Sequence, residues 1–187
     1  MNQRMLVERA RQGDHDAFAV LAGAAIARLD AAARLILRDP ELARDAVQDG
    51  LVRAWRDLRS LRDADRFDAW IHRLTVNACL DMTRGRRRRA IEVEITPIDA
   101  PVTSDIASLI ADRDLLDQAL KRLDPEWRLL VVAHYFLGMP LPEAAAALGI
   151  PLGTAKSRLH RSLSAMRIAM TIDDTTVPTP VAGGQLA

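Results

Sequence analysis

Apolar residues recur at roughly every third or fourth position through most of this chain, the period of amphipathic helices packed side by side. Phe18, Leu21, Ala22, Ala25, Leu29, Ala32, Ala33 and Ile36 form one stripe. Ala43, Val47, Leu51, Ala54 and Leu58 form a second, and Phe67, Ile71, Leu74, Ala78 and Met82 a third. Start and stop signals frame them. A short helix over residues 4–12 stops at Gly13, Asp14 or Asp16 caps the next, and Asp39-Pro40-Glu41 opens another with a cap, a first-turn proline and an acid against the helix dipole. The stretch Arg59 to Arg66 is too polar for a core and reads as a loop, leading into a helix capped by Asp63 or Asp65.

From Ile91 to Ala111, β-branched residues, prolines and acids break the helical period, which predicts an extended linker and a domain boundary. Leu115, Leu116, Ala119, Leu120 and Leu123 restore it, and Asp124-Pro125-Glu126 opens a helix that runs through Phe136 and ends at Gly138. A helix, a tight turn and a second helix follow. Pro142 suits a first turn, Gly149 a positive-φ stop, and Pro151 the start of the next helix. On that helix Leu152, Ala155, Leu159, Leu163 and Met166 share one side; Ser157 and Arg161 lie nearly opposite, flanked by Lys156 and Arg158. A helix-turn-helix that offers donors to bases and phosphates needs these two unlike faces, although an amphipathic surface helix with solvated arginines has the same pattern. The fold class expected is all-α, with small helical domains at 1–90 and 112–170, a linker at 91–111, and a disordered Thr-, Pro- and Gly-rich tail at 171–187.

Charge sharpens this picture. The formal net charge is only +1, yet residues 1–90 carry 18 basic and 13 acidic side chains, 91–120 carry 1 and 7, and 121–170 carry 7 and 3. Two basic lobes joined by an acidic strip suit a polyanion held at two separated places. No apolar run is long enough for a membrane span and the N-terminus has no secretory h-region, so a cytoplasmic protein with no membrane insertion of its own is expected. Cys79 is the only cysteine and reads as a small core hydrophobe.

Three further stretches carry candidate chemistry. Asp45, Gln48, Asp49, Val52 and Arg56 lie opposite the buried stripe of their helix, and an aliphatic within an exposed acidic row suggests a protein partner. Trp70, Arg73 and Asn77 run along one helix edge and could stack on and hydrogen-bond unpaired bases; Trp70 in the core with the other two solvated is the plainer reading of the pattern. Arg84 to Arg89 reads as a flexible, phosphate-seeking end. The histidines lack metal-ligand spacing: His72 and His160 read as solvent-facing, His15 as a loop residue. Neither a phosphate loop nor a nucleophile motif is present, so no cofactor, no metal site and no enzymatic activity are expected.

These stretches together resemble the extracytoplasmic-function (ECF) sigma factors, small bacterial initiation factors of the sigma-70 family, from Leu6 to Ala169. LVERARQGDHDAFAVL is similar to their opening helix and loop, ARDAVQDGLVRAW to the helix that docks on polymerase, FDAWIHRLTVNACLD to the helix that grips the melted promoter, and GIPLGTAKSRLHRSLSAMR to the recognition helix. The resemblance implies a sigma-2-like domain, a sigma-4-like domain, and core RNA polymerase (β′ clamp and β flap), promoter DNA and an anti-sigma factor as partners. It implies that Lys156, Ser157 and Arg161 read the minus-thirty-five element with Thr154 and Arg158 near phosphates, that Asn77, Trp70, Arg73 and the loop with Leu61 and Asp63 take the minus-ten element, and that Asp45, Gln48, Asp49 and Val52 dock on polymerase. A helix-turn-helix regulator, or a sigma-like protein that occupies polymerase without initiating, are the alternatives; the first would need a receiver or ligand domain that residues 1–90 do not suggest. Gly50 departs from what a docking helix needs, at about 1 kcal/mol of helix propensity against Ala.

Overall fold

The computed structural model describes residues 2–93 and 109–174, which are helical without a strand. The linker and tail expectations for 94–108 and 175–187 lie outside the described residues. The first lobe consists of α1 (Gln3–Arg11), α2 (His15–Leu37), α3 (Pro40–Asp57) and α4 (Phe67–Val93). Capping follows the sequence signals. Asp14 accepts from the Ala17 amide, which together with Arg9 holds its carboxyl below the ordinary carboxylate value. Asp39 accepts from the amides of Glu41 and Leu42, with Pro40 in the first turn.

Gly50 has a structural reason that its helix propensity hides. A Cβ there would lie 2.8 Å from Thr75 Oγ1 and 3.2 Å from Thr75 Cα, so α3 and α4 cross at a distance that only glycine permits. Around this crossing Val47, Ala54, Phe67, Ile71, Val76 and Cys79 are buried. Burial pushes the Cys79 thiol up to about 12, as a core hydrophobe should behave.

Four expectations for this lobe are corrected. Arg59 to Arg66 is not a polar loop: it contains the 3₁₀ turns Leu58–Ser60 and Ala64–Arg66, and Leu61 and Ala64 are buried between polar neighbours, an alternation that a tight turn allows. Arg84 to Arg89 lie within α4, which continues through them to Val93 rather than ending in a loose charge block. His15 is the first residue of α2, with its ring centroid 4.4 Å from that of Trp55. His72 is half-buried, because the second lobe covers it.

The second lobe consists of α5 (Leu109–Lys121), α6 (Pro125–Val131), α7 (Leu141–Leu148) and α8 (Leu152–Asp174). Asp124 caps α6, whose last turn widens into a π-type segment, Val132–Phe136, before Gly138 at φ 71°. His134 Nδ1 lies 2.8 Å from the Met139 carbonyl oxygen and ties this bend together. Gly149 at φ 68° makes the tight turn between α7 and α8. The buried side of α8 is Ala155, Leu159, Ser162, Met166 and Ala169; Leu152, expected there, is 39% exposed because it occupies the first turn, ahead of the packed part of the helix. The helix also extends to Asp174, past the expected start of a disordered tail at 171.

Candidate nucleic-acid and polymerase interfaces

The helix-turn-helix presents its expected readers. Lys156, Ser157 and Arg161 are exposed on the first half of α8, opposite the buried Ala155 and Leu159. Ser157 Oγ donates to the Thr154 carbonyl at 2.9 Å, leaving lone pairs and the two cations for an incoming ligand. Thr154 and Arg158 are half-buried beside them. Arg158 is already engaged: its Nη1 lies 3.3 Å from Glu126 Oε2. A helix face with two exposed cations and a hydroxyl, set on a packed partner helix, can enter a groove and donate to base edges.

The residues assigned to unpaired DNA are divided by the structure. Trp70 is 8% exposed, with its ring centroid 6.1 Å from that of Phe67, so it is a core residue rather than a free stacking platform. Its rim still lines a shallow cleft with Arg73, Arg56, Asp57 and Arg59. Leu61 is core and Asp63 caps the second 3₁₀ turn by accepting from the Asp65 amide at 3.0 Å. Asn77 lies one turn beyond the cleft, half-buried, and its Oδ1 has no hydrogen-bond partner. The sequence places Arg56 on the exposed side of its helix and gives Asp57 and Arg59 no role; only the turn after α3 brings all three opposite Trp70 and Arg73. Arg56 and Asp57 pair at 3.0 Å, and the Arg56 hydrogen bond holds the Asp57 carboxyl below the ordinary range.

On α3, Asp45 and Gln48 are exposed and Val52 is 56% exposed, as the stripe predicts. Asp49 is less free. It pairs with Arg53 at 2.6 Å, and Arg53 reaches on to Asp81 of α4 at 3.1 Å. Beside Val52 an apolar groove opens between α2 and α3, lined by Ile26, Val47, Leu51 and Trp55 with Asp30 and Arg44 at its edges. Ile26, 45% exposed, was not singled out because its neighbours on α2 are small residues with no distinct outer stripe.

The profile of sigma-70 region 2 matches residues 24–89, which hold α3, the cleft and most of α4, and that of sigma-70 region 4 matches residues 113–166, which hold the helix-turn-helix. The chain belongs to the ECF sigma-70 family. It is 34% identical over 142 residues to the RNA polymerase sigma-E factor of Streptomyces coelicolor, covering 76% of this chain and 79% of that protein. It is 36% identical over 151 residues to the ECF RNA polymerase sigma factor SigM of Mycobacterium tuberculosis, covering 80% and 75%. Among solved structures it is similar to CnrH in complex with the cytosolic domain of CnrY, at TM-score 0.61 and 29% identity over 91% of this chain and 98% of that one. The Bartonella quintana sigma factor RpoE, in complex with the anti-sigma factor NepR, shares its fold at TM-score 0.70 and 24% identity over 83% and 98%. As a sigma factor the chain binds core RNA polymerase and directs promoter-specific transcription initiation. No helix among the described residues is long and apolar enough to cross a membrane.

Proposed function

We propose that the two lobes divide the work of promoter recognition. The second lobe reads duplex DNA through Lys156, Ser157 and Arg161, with Thr154 and Arg158 on phosphates. The first lobe docks on polymerase through Asp45, Gln48, Asp49, Val52 and the adjoining apolar groove, and binds the melted strand along Arg73 and Asn77. Trp70 serves there as the rigid floor of the cleft, and Leu61 and Asp63 shape the turn beside it. The chain forms and breaks no covalent bonds; its contribution is binding and orientation, with the chemistry left to polymerase. The carrying observation is the face of α8 on which Lys156, Ser157 and Arg161 are exposed together, opposite a buried stripe. An anti-sigma factor is a further expected partner, supported by the complex in which RpoE was solved with the anti-sigma factor NepR.

The test is reconstitution with core polymerase on a panel of single-base promoter variants. Arg161→Ala should cost about 1–3 kcal/mol on the preferred promoter and flatten discrimination at one position. Arg158→Ala should weaken all sequences alike and lower the salt slope by roughly one charge. Transcripts that need the chain but ignore promoter sequence would remove the reading roles from α8. Polymerase binding without any transcript would leave docking as the activity.

A further inference from the structure

The opening helix α1 lies ahead of residues 24–89, which the region 2 profile matches, and carries none of the docking or reading residues. Its own cations are occupied. Arg9 pairs with Asp14 at 2.7 Å, Arg11 with Glu8 at 2.8 Å and Arg4 with Asp65 at 3.3 Å, so α1 does not offer the row of open charges that would follow a phosphate chain. Leu6, Val7 and Ala10 are nevertheless buried, Val7 completely. The helix packs against α2 and against both 3₁₀ turns, Leu58–Ser60 and Ala64–Arg66.

Those turns stand beside the melted-strand cleft, and their own bonds are short-range. The Leu61 N–H donates to the Leu58 carbonyl at 3.2 Å and the Arg66 N–H to the Asp63 carbonyl at 3.1 Å, with the poorer geometry of 3₁₀ structure. α1 reaches both turns, from its opposite ends. At its last turn the closing backbone bonds go to the Arg9 and Ala10 carbonyls, and the Arg11 carbonyl accepts from Arg59 Nε at 3.4 Å, a cation placed where a helix C-terminus favours one. Arg59 belongs to the first 3₁₀ turn and lines the cleft with Ser60, Trp70 and Arg73. At the other end Arg4 Nη1 donates to Asp65 Oδ2 of the second 3₁₀ turn at 3.3 Å. Arg4 and Arg11 lie about 10 Å apart along the axis, at about 1.5 Å per residue, so the helix spans the two turns as a splint.

We infer that α1 is a positioning helix: it holds residues 58–66 in the arrangement that sets Arg59 and Ser60 opposite Trp70 and Arg73, and thereby fixes the width of the cleft offered to the unpaired strand. The inference rests on the proposed function of that cleft. Turns without such support would have to be ordered as the strand binds, at a cost in affinity, whereas turns held in place beforehand bind without it. A strand that binds only the ordered form does so with an affinity reduced by the ordered fraction. The docking row lies on α3 and the duplex readers on α8, so a loosened α1 should spare both and weaken strand capture alone.

The test uses the full chain reconstituted with core polymerase. Strand capture is read as affinity for a single-stranded oligonucleotide carrying the minus-ten element of a promoter that the holoenzyme transcribes, alongside core affinity and discrimination among duplex minus-thirty-five variants. Val7→Ala, which removes buried methyl groups from the middle of α1, should weaken oligonucleotide binding roughly threefold or more, as when the turns are in place in a third of the molecules or fewer, with the other two readouts unchanged. Arg4→Asp should weaken it in the same direction, and Arg4→Asp combined with Asp65→Arg, which restores the pair in reverse, should recover it. Unaltered oligonucleotide binding in Val7→Ala overturns the positioning role, and so does a reversed pair that binds no better than Arg4→Asp. An equal fall of all three readouts also overturns it, since that marks a general loss of fold. If the unsubstituted holoenzyme binds the oligonucleotide no better than a scrambled one, the proposed function of the cleft fails, and the inference with it.

Discussion

The seam inside the first lobe and the seam between the lobes are made of different materials. Where α3 crosses α4, glycine meets backbone at Thr75 and the surrounding side chains are apolar and fully buried. Where the lobes meet, the apolar core runs on from α2 and α4 into the second lobe, and guanidinium groups add bonds to carboxylates and free carbonyls around it. The first kind is lost only on unfolding, because nothing in water replaces close packing. The exposed members of the second kind, such as Arg66 with Glu143, can be replaced by water or another protein, whereas the buried Arg38 and Arg128 cannot be exposed without cost. The first lobe is thus held by close packing, and the contact between lobes by packing together with directional bonds from arginines.

Breaking the first seam should have the largest effect. Gly50→Val would force a branched side chain against Thr75 and should cost about 3 kcal/mol or prevent folding, read as a fall in the urea midpoint. Unchanged stability would mean that α3 and α4 can move apart, and the contrast drawn above would lose its basis. Asp117→Ala attacks the second seam, leaving Arg38 with only the carbonyl of residue 117. It should weaken the contact between the lobes by about 2 kcal/mol, seen as a larger radius of gyration in solution scattering with unchanged helix content.

Acid should act in the same direction. His72 faces the second lobe, where burial first and then the Arg28 charge lower its pKa below the ordinary 6.5, against the opposing pull of Asp68 and the Leu137 backbone. A lowered histidine pKa means that the open or unfolded state binds more protons, so the stability contributed is present above about 6.5 and is lost as pH falls below it. Expansion on acidification should therefore be weaker in His72→Gln, and an equal response in both proteins would exclude His72 as the titrating group. The smallest effect belongs to Arg66→Ala. Its pair with Glu143 is exposed on both sides, 61% and 34%, and should be worth no more than about 0.5 kcal/mol, detectable only as a salt-dependent change in lobe separation.

Much of the molecule was legible before folding because its signals are local. Asp14, Asp39 and Asp124 cap the helices that they precede, and Gly138 and Gly149 turn the chain where they stand. The outward side of α8 followed from the helical period, since Ala155 and Leu159 can be buried only by turning Ser157 and Arg161 out. Trp70 shows where such reasoning stops: its edge position was right, but whether an aromatic at an edge faces solvent or core depends on what packs against it, and Phe67 and the turns after α3 do.

What the sequence determined by itself is therefore the set of helices, their inner and outer faces, and a chemistry of cations and amides suited to nucleic acid. The tertiary structure alone decided three things: that Gly50 is a crossing point, that Leu61 and Ala64 are core within a polar stretch, and that Arg38, Arg84 and Arg158 meet acceptors far away in the chain. The physical reason is range. Capping and helical period act within a turn or two, where residue spacing fixes geometry, whereas a glycine contact or an arginine's partner is set by how whole helices cross, which no local spacing encodes.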